Sequence, residues 1–85
     1  MIQYRLVFKK SVDKDLQGIP KKDISRLLKC FEVLAEDPRR KGCEKLSGRE
    51  RYRRRLGSYR IVYEIQGDVL VVIVVKVGHR RDVYR

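Results

Sequence analysis

The 85-residue sequence has no tryptophan, one histidine, two cysteines, two prolines, and only 11 acidic residues against 22 basic ones. Each shortage removes a class of explanation. Cys30 and Cys43 have no second Cys or His pair at ligand spacing, so a structural zinc site is excluded, and no cofactor or metal is implied. No stretch approaches the roughly 20 apolar residues of a membrane span. The N-terminus lacks the apolar region of a signal peptide, so a cytoplasmic protein is expected. The length fits one domain, residues 1–85, with a single modest core.

What is abundant is positive charge, +11 net and unevenly spread. Residues 39–60 hold ten Lys/Arg (Arg39, Arg40, Lys41, Lys45, Arg49, Arg51, Arg53, Arg54, Arg55, Arg60) against Glu44 and Glu50, which is +8 of the total. Such a concentration fits RNA, DNA, an anionic membrane or an acidic protein inhibitor.

The centre of this region, Arg51 to Ile65, reads as a β-hairpin. Runs rich in Tyr, Ile and Val flank Gly57-Ser58, a pair suited to a tight connection, and the simplest register sets Leu56 opposite Tyr59. Arg55 then faces Arg60, Arg53 faces Val62, and alternation brings Arg53, Arg55 and Arg60 onto one face. Ile61, Tyr63 and Ile65 point the other way, into a core. Like charges set opposite each other destabilise a sheet, so an anionic partner is the expected reason for the row. A solvated basic sheet face is the plain alternative.

Residues 2–8 read as a first strand. Ser11 is a candidate N-cap for a short helix through Leu16, ended by Gly18. Pro20 suits the start of a second helix, on which Ile24, Leu27, Leu28, Phe31 and Leu34 form one apolar stripe. Asp37-Pro38 stops it, because the residue before proline is pushed out of the α region. Residues 39–48 read as a loop containing Cys43, whereas Cys30 reads as a small buried residue. Val69 to Val77 is nearly unbroken β-branched sequence, expected to be a central strand covered on both faces. The order β-α-α-β-β-β predicts an α+β domain: an antiparallel sheet with both helices on one face and the arginines on the other.

Two phrases, Tyr52-Arg-Arg-Arg-Leu-Gly-Ser-Tyr-Arg-Ile-Val-Tyr-Glu-Ile65 and Val77-Gly-His-Arg-Arg-Asp-Val-Tyr84, separated by an apolar strand, resemble the RelE branch of the RelE/ParE toxin superfamily. The resemblance extends over essentially the full chain, including the Leu34 to Pro38 helix end. It implies a toxin of a type II toxin–antitoxin pair, an endoribonuclease that cleaves mRNA in the ribosomal A site without a metal and is silenced by a RelB-like antitoxin. Toxins of this kind are similar in fold to small microbial RNases but lack their usual His/Glu pair, using basic residues on the sheet face and a C-terminal tyrosine. Carried over residue by residue, the family's hairpin cations fall on Arg53, Arg55 and Arg60, its later arginine on Arg80, and its tyrosine on Tyr84. The chain departs from relatives that carry lysine at the first two positions. Arginine stays protonated, so a lysine general base there does not transfer.

Cleavage of RNA by its own 2′-OH needs a base for that hydroxyl, cations for the crowded phosphorane and a proton for the departing 5′-oxygen. Arg53, Arg55 and Arg60 fit the second need, since guanidinium groups match phosphate oxygens in pairs. Tyr84 is a candidate for base stacking or for general base, and Arg80 or His79 for the acid. Lys45, Arg51 and Arg81 are candidate RNA-phosphate contacts for the message or the ribosome. Tyr52, Tyr59 and Tyr63 read as sheet and core residues, and Arg54 as a cation on the opposite strand face that snorkels to the sheet margin. Two other functions fit the same features: a non-catalytic, ParE-like inhibitor of DNA gyrase, and a basic nucleic-acid-binding module.

Overall fold

The computed structural model describes residues 3–46 and 50–79. Its elements are β1 (Arg5–Phe8), α1 (Lys10–Gln17), α2 (Lys21–Glu36), β2 (Cys43–Leu46), β3 (Arg51–Leu56), β4 (Tyr59–Gln66) and β5 (Val71–His79). The strands form one sheet in the order β1-β5-β4-β3-β2, and the fold is α+β as expected.

Two features of the sheet correct the sequence reading. It is mixed rather than wholly antiparallel, because β1 runs parallel to β5, with Arg5 opposite Val71 and Phe8 opposite Val74. The stretch expected to be a loop also contributes a strand: β2 pairs antiparallel with β3, setting Glu44 opposite Arg53 and Leu46 opposite Arg51. The hairpin itself has the expected register, with Leu56 opposite Tyr59, Arg55 opposite Arg60 and Arg53 opposite Val62.

The helices follow from short-range signals. Pro20 holds the N-cap position of α2, and Asp37, with non-helical backbone angles before Pro38, ends it. Leu27, Phe31 and Leu34 are buried, but Leu28 lies off the stripe and is 51% exposed. α1 begins at Lys10, one residue before the expected cap Ser11, and buries Val12. These side chains meet Ile61, Tyr63, Ile65, Val72, Val74 and Val77 in one core beneath the sheet. β5 does lie inside the sheet, between β1 and β4. Val71, Val72, Val74 and Val77 are buried while Ile73 and Val75 are half-buried, so the face away from the helices is only partly covered.

β1 pairs with β5 only as far as Val74, which leaves the last part of that β5 edge without β1. There the Asp15 carboxylate of α1 accepts the Val77 N–H at 3.2 Å and lies 3.8 Å from Lys76 Nζ. A side chain therefore satisfies a donor that would otherwise invite another strand.

The turn into β2 depends on Gly42, whose φ of +99° lies where L side chains are strained. A Cβ there would also come within 2.5 Å of Arg54 Nη1, a flexible tip that can give way, so the backbone angle carries the cost. Gly42→Ala is expected to lower unfolding stability by roughly 1–2 kcal/mol, read as a reduced denaturant midpoint with unchanged slope. An unchanged midpoint would show that the turn relaxes freely.

Candidate functional site

Alternation along β3 sends Tyr52, Arg54 and Leu56 toward the helices and Arg51, Arg53 and Arg55 to the open face. β4 adds Arg60 to that face, opposite Arg55, while Ile61, Tyr63 and Ile65 are buried behind it. On its other side Arg60 faces Gly78 of β5, where the absence of a side chain leaves room for a guanidinium. Arg60 is only 3% exposed, and its Nη1 donates to the Tyr59 carbonyl at 3.3 Å. Arg55 is solvent-exposed. Three guanidinium groups are thus brought together on one face as the hairpin register requires.

The chain also places acids on that face. Arg53 donates to Glu44 Oε2 across β2 and β3, and Arg51 donates to Glu64 Oε1 across β3 and β4. The Arg53 hydrogen bond and charge, reinforced by Arg55 and Arg60, hold the Glu44 carboxyl below the usual carboxylate range despite its slight desolvation. Part of the anionic complement expected from a partner is therefore internal. Neither acid was among the candidate site residues. The signal for Glu44 was present, because a cation row on a middle strand calls for an acid opposite it, but it is legible only once β2 is known to be a strand.

Two expected contacts lie elsewhere. Lys45 shares its cross-strand row with Tyr52 and Tyr63, on the helix side, and sits 3.5 Å from Glu50. Glu50 also accepts from the Tyr52 hydroxyl at 3.0 Å and from Arg39 at 3.3 Å, and the Tyr52 bond leads in keeping its carboxyl ionised. His79 lies opposite Tyr59, with ring centroids 6.3 Å apart. The Tyr59 hydroxyl donates to Asp23 of α2 at 2.9 Å, so this row also faces the helices. His79 lines a recess with Asp15, Ile19, Tyr59, Lys76 and Gly78, where α1 meets the end of β5. Arg51 is on the arginine face. Arg80, Arg81 and Tyr84 lie outside the described residues.

Arg54, expected at the sheet margin, instead reaches between α2 and the 40–43 turn, where Nη1 donates to the Lys41 carbonyl at 3.3 Å. It lines a groove with Arg26, Lys29, Cys30, Val33, Arg40 and Leu56. Burial raises the Cys30 thiol pKa, which Arg54 partly opposes, so Cys30 is a core residue rather than a nucleophile. Cys43 lies in β2, not in a loop. Among the described residues no cluster of three His, Cys, Asp or Glu side chains is placed to hold a metal ion, and no helix is long and apolar enough to cross a membrane.

Comparison with known proteins gives a consistent picture. The family model described as "ParE toxin of type II toxin-antitoxin system, parDE" matches residues 6–84. Toxin RelG of Mycobacterium tuberculosis is 30% identical over 86 residues, spanning 96% of this chain and 97% of its own. Among solved structures, the archaeal RelE–RelB complex from Pyrococcus horikoshii superposes with a TM-score of 0.79 at 30% identity, over 94% of this chain and 98% of the other. The intact E. coli RelBE toxin–antitoxin complex gives 0.80 at 27% identity, over 89% and 95%.

Proposed function

Because the chain belongs to the RelE/ParE superfamily of toxins from type II toxin–antitoxin systems, we propose that it is a ribosome-dependent mRNA endonuclease that cuts message in the ribosomal A site and so halts translation. The observation that carries this reading is the convergence of Arg53, Arg55 and Arg60 on the open sheet face. Transfer of the phosphoryl group from the 5′-oxygen to the neighbouring 2′-oxygen gathers negative charge on equatorial oxygens. Fixed guanidinium groups stabilise that charge more than they stabilise the ground state. Arg55, exposed, offers its fork to a phosphate, and the buried Arg60 directly opposite adds a fixed positive charge beneath it. By the family resemblance, Arg80 and Tyr84 complete the site, while Arg51 and Arg81 contact RNA phosphates.

The ribosome delivers and orients the message, so the toxin needs no groove that reads sequence, and free RNA is cut poorly. A RelB-like antitoxin is the partner in this reading, as in the RelE–RelB complexes it resembles. Its physical role is to cover a surface that would otherwise bind nucleic acid without discrimination. The toxin acts in the cytoplasm, where ribosomes are.

A purified translation system with a defined mRNA, read by primer extension, tests the proposal. Cuts at A-site codons are expected, with none when the same mRNA is supplied without ribosomes. The ParE name of the matching family model favours a second reading, inhibition of DNA gyrase. Intact mRNA together with loss of gyrase supercoiling activity would establish that reading instead.

A further inference from the structure

We infer that Glu44 is the general base of the cleavage reaction, taking the proton from the 2′-hydroxyl next to the scissile phosphate. The inference rests on the endonuclease reading and supplies the proton acceptor that an arginine cluster lacks. Arginine stays protonated in proteins, so Arg53, Arg55 and Arg60 stabilise charge but accept no proton. Lys45 and His79 belong to rows on the helix side of the sheet, and Lys76, which shares the Arg53–Val62 row, is paired with Asp15 of α1 at 3.8 Å. The carboxylates shown on the arginine face are Glu44 and Glu64.

Register separates the two. The Arg55–Arg60 pair forms one cross-strand row, Glu44–Arg53–Val62 the next, and Leu46–Arg51–Glu64 the one beyond. At about 3.4 Å per residue along a strand, Glu44 is two residues, roughly 7 Å, from the row of the arginine pair and Glu64 four residues, roughly 14 Å. Across the sheet, at about 4.8 Å per strand, Glu44 lies one strand from Arg55 and two from Arg60. Side chains on diagonal neighbours of opposite sign meet across the smaller distance. In RNA the attacked phosphorus is bonded to the 3′-oxygen of the ribose that carries the attacking 2′-hydroxyl, so a phosphate held at the Arg55–Arg60 row puts that hydroxyl within reach of a long side chain one row away. Glu44 is that side chain, and all three arginines of the cluster act on its charge.

The carboxylate is ionised and within reach of a substrate, though its bond to Arg53 makes it a weaker base than a free glutamate. Its side chain is 61% exposed on an edge strand, open to a substrate approaching the sheet face. Arg53 engages one oxygen, Oε2, which orients the group, and an ionised carboxylate retains capacity to accept a further hydrogen bond. In the step, Glu44 takes the 2′-hydroxyl proton as the 2′-oxygen bonds to phosphorus, and the bond from phosphorus to the 5′-oxygen breaks. Water protonates the leaving 5′-oxygen, and Glu44 returns its proton to the hydroxide formed. The products are a 2′,3′-cyclic phosphate and a 5′-hydroxyl. A purely structural Glu44, present only to relieve repulsion between Arg53 and Arg55, would influence stability but not proton transfer.

Single-turnover cleavage of programmed ribosomes from pH 6 to 9 separates these possibilities, using wild type and Glu44→Gln with ribosome binding and melting temperature measured alongside. A base already ionised at pH 6 gives a flat wild-type profile, whereas a tyrosine base with a pKa near ~10 gives a rate rising about tenfold per pH unit. Expected is a flat wild-type profile and a loss on the order of 10²-fold in Glu44→Gln. The residual rate of the variant should rise with pH as hydroxide takes over, with ribosome affinity unchanged and melting lowered by no more than loss of the ion pair between Arg53 and the largely exposed Glu44 accounts for. Wild-type cleavage that climbs through pH 9, or a Glu44→Gln rate equal to wild type, overturns the assignment while leaving the endonuclease intact. Absence of wild-type cuts at every pH removes the endonuclease reading and this inference together.

Discussion

Arg55→Ala is expected to slow A-site cleavage by on the order of 10²–10³-fold, the usual cost of removing one preorganised donor aimed at developing charge. The loss should appear in the chemical step, because ribosome binding draws on many cations and the missing guanidinium is specific to the phosphorane. Arg55→Lys should recover only part of it, since an ammonium restores charge without the two-pronged geometry. The stability change should have the opposite sign or none. Arg55 is exposed and directly opposes Arg60, so its removal relieves a like-charge cross-strand pair worth about 0.2–1 kcal/mol. Single-turnover rates on programmed ribosomes, set beside thermal melts, measure both. A variant that melts lower yet cleaves normally would make Arg55 a structural residue and sink the proposed role.

That opposition between activity and stability explains how much of the site could be read from sequence. The hairpin register was legible because its turn and alternating strands are local, and the register alone fixes which arginines share a face. The α2 stripe was equally local, with Leu28 misassigned because it lies at the edge of an apolar arc rather than inside it. The parallel pairing of β1 with β5 was not legible. Nothing within either strand states the direction of a neighbour more than sixty residues away. β2 was hidden for a different reason. Cys43-Glu44-Lys45-Leu46 has no apolar alternation and earns its place by complementing β3 in charge, through Glu44 and Arg53. Missing β2 meant missing Glu44, and the row of cations then looked wholly uncompensated.

The same sheet depends on what lies behind the arginines, and Tyr63 should dominate it. Tyr63 is fully buried, stacks on Tyr52 with ring centroids 5.8 Å apart, and donates its hydroxyl to the Pro38 carbonyl at 2.7 Å. Tyr63→Ala is expected to cost about 3–5 kcal/mol, a large share of the roughly 5–15 kcal/mol that holds a small domain folded. Each kcal/mol should lower the melting temperature by about 4–8 °C. Tyr63→Phe keeps the ring but leaves the Pro38 carbonyl without this donor, at about 1–3 kcal/mol. The two variants also separate packing from titration. Burial, then the hydrogen bond with Cys43, pushes the Tyr63 pKa far above its ordinary value, whereas in the unfolded chain it titrates near ~10. Below that pH both states keep the proton and the full stability is present. Above it the unfolded state releases a proton that the native state retains, so stability falls as pH rises. Tyr63→Phe should therefore flatten the alkaline limb of the stability profile, leaving the smaller slope from Tyr59, whose bond to Asp23 also raises its pKa. Denaturant midpoints measured from pH 8 to 11 decide the matter: identical alkaline limbs in wild type and Tyr63→Phe would mean that this hydroxyl is not the group that resists ionisation. Because Tyr63 lies between Val62 and Glu64 on β4, loosening it loosens the strand that carries Arg60, and cleavage in Tyr63→Ala should fall together with its folded fraction.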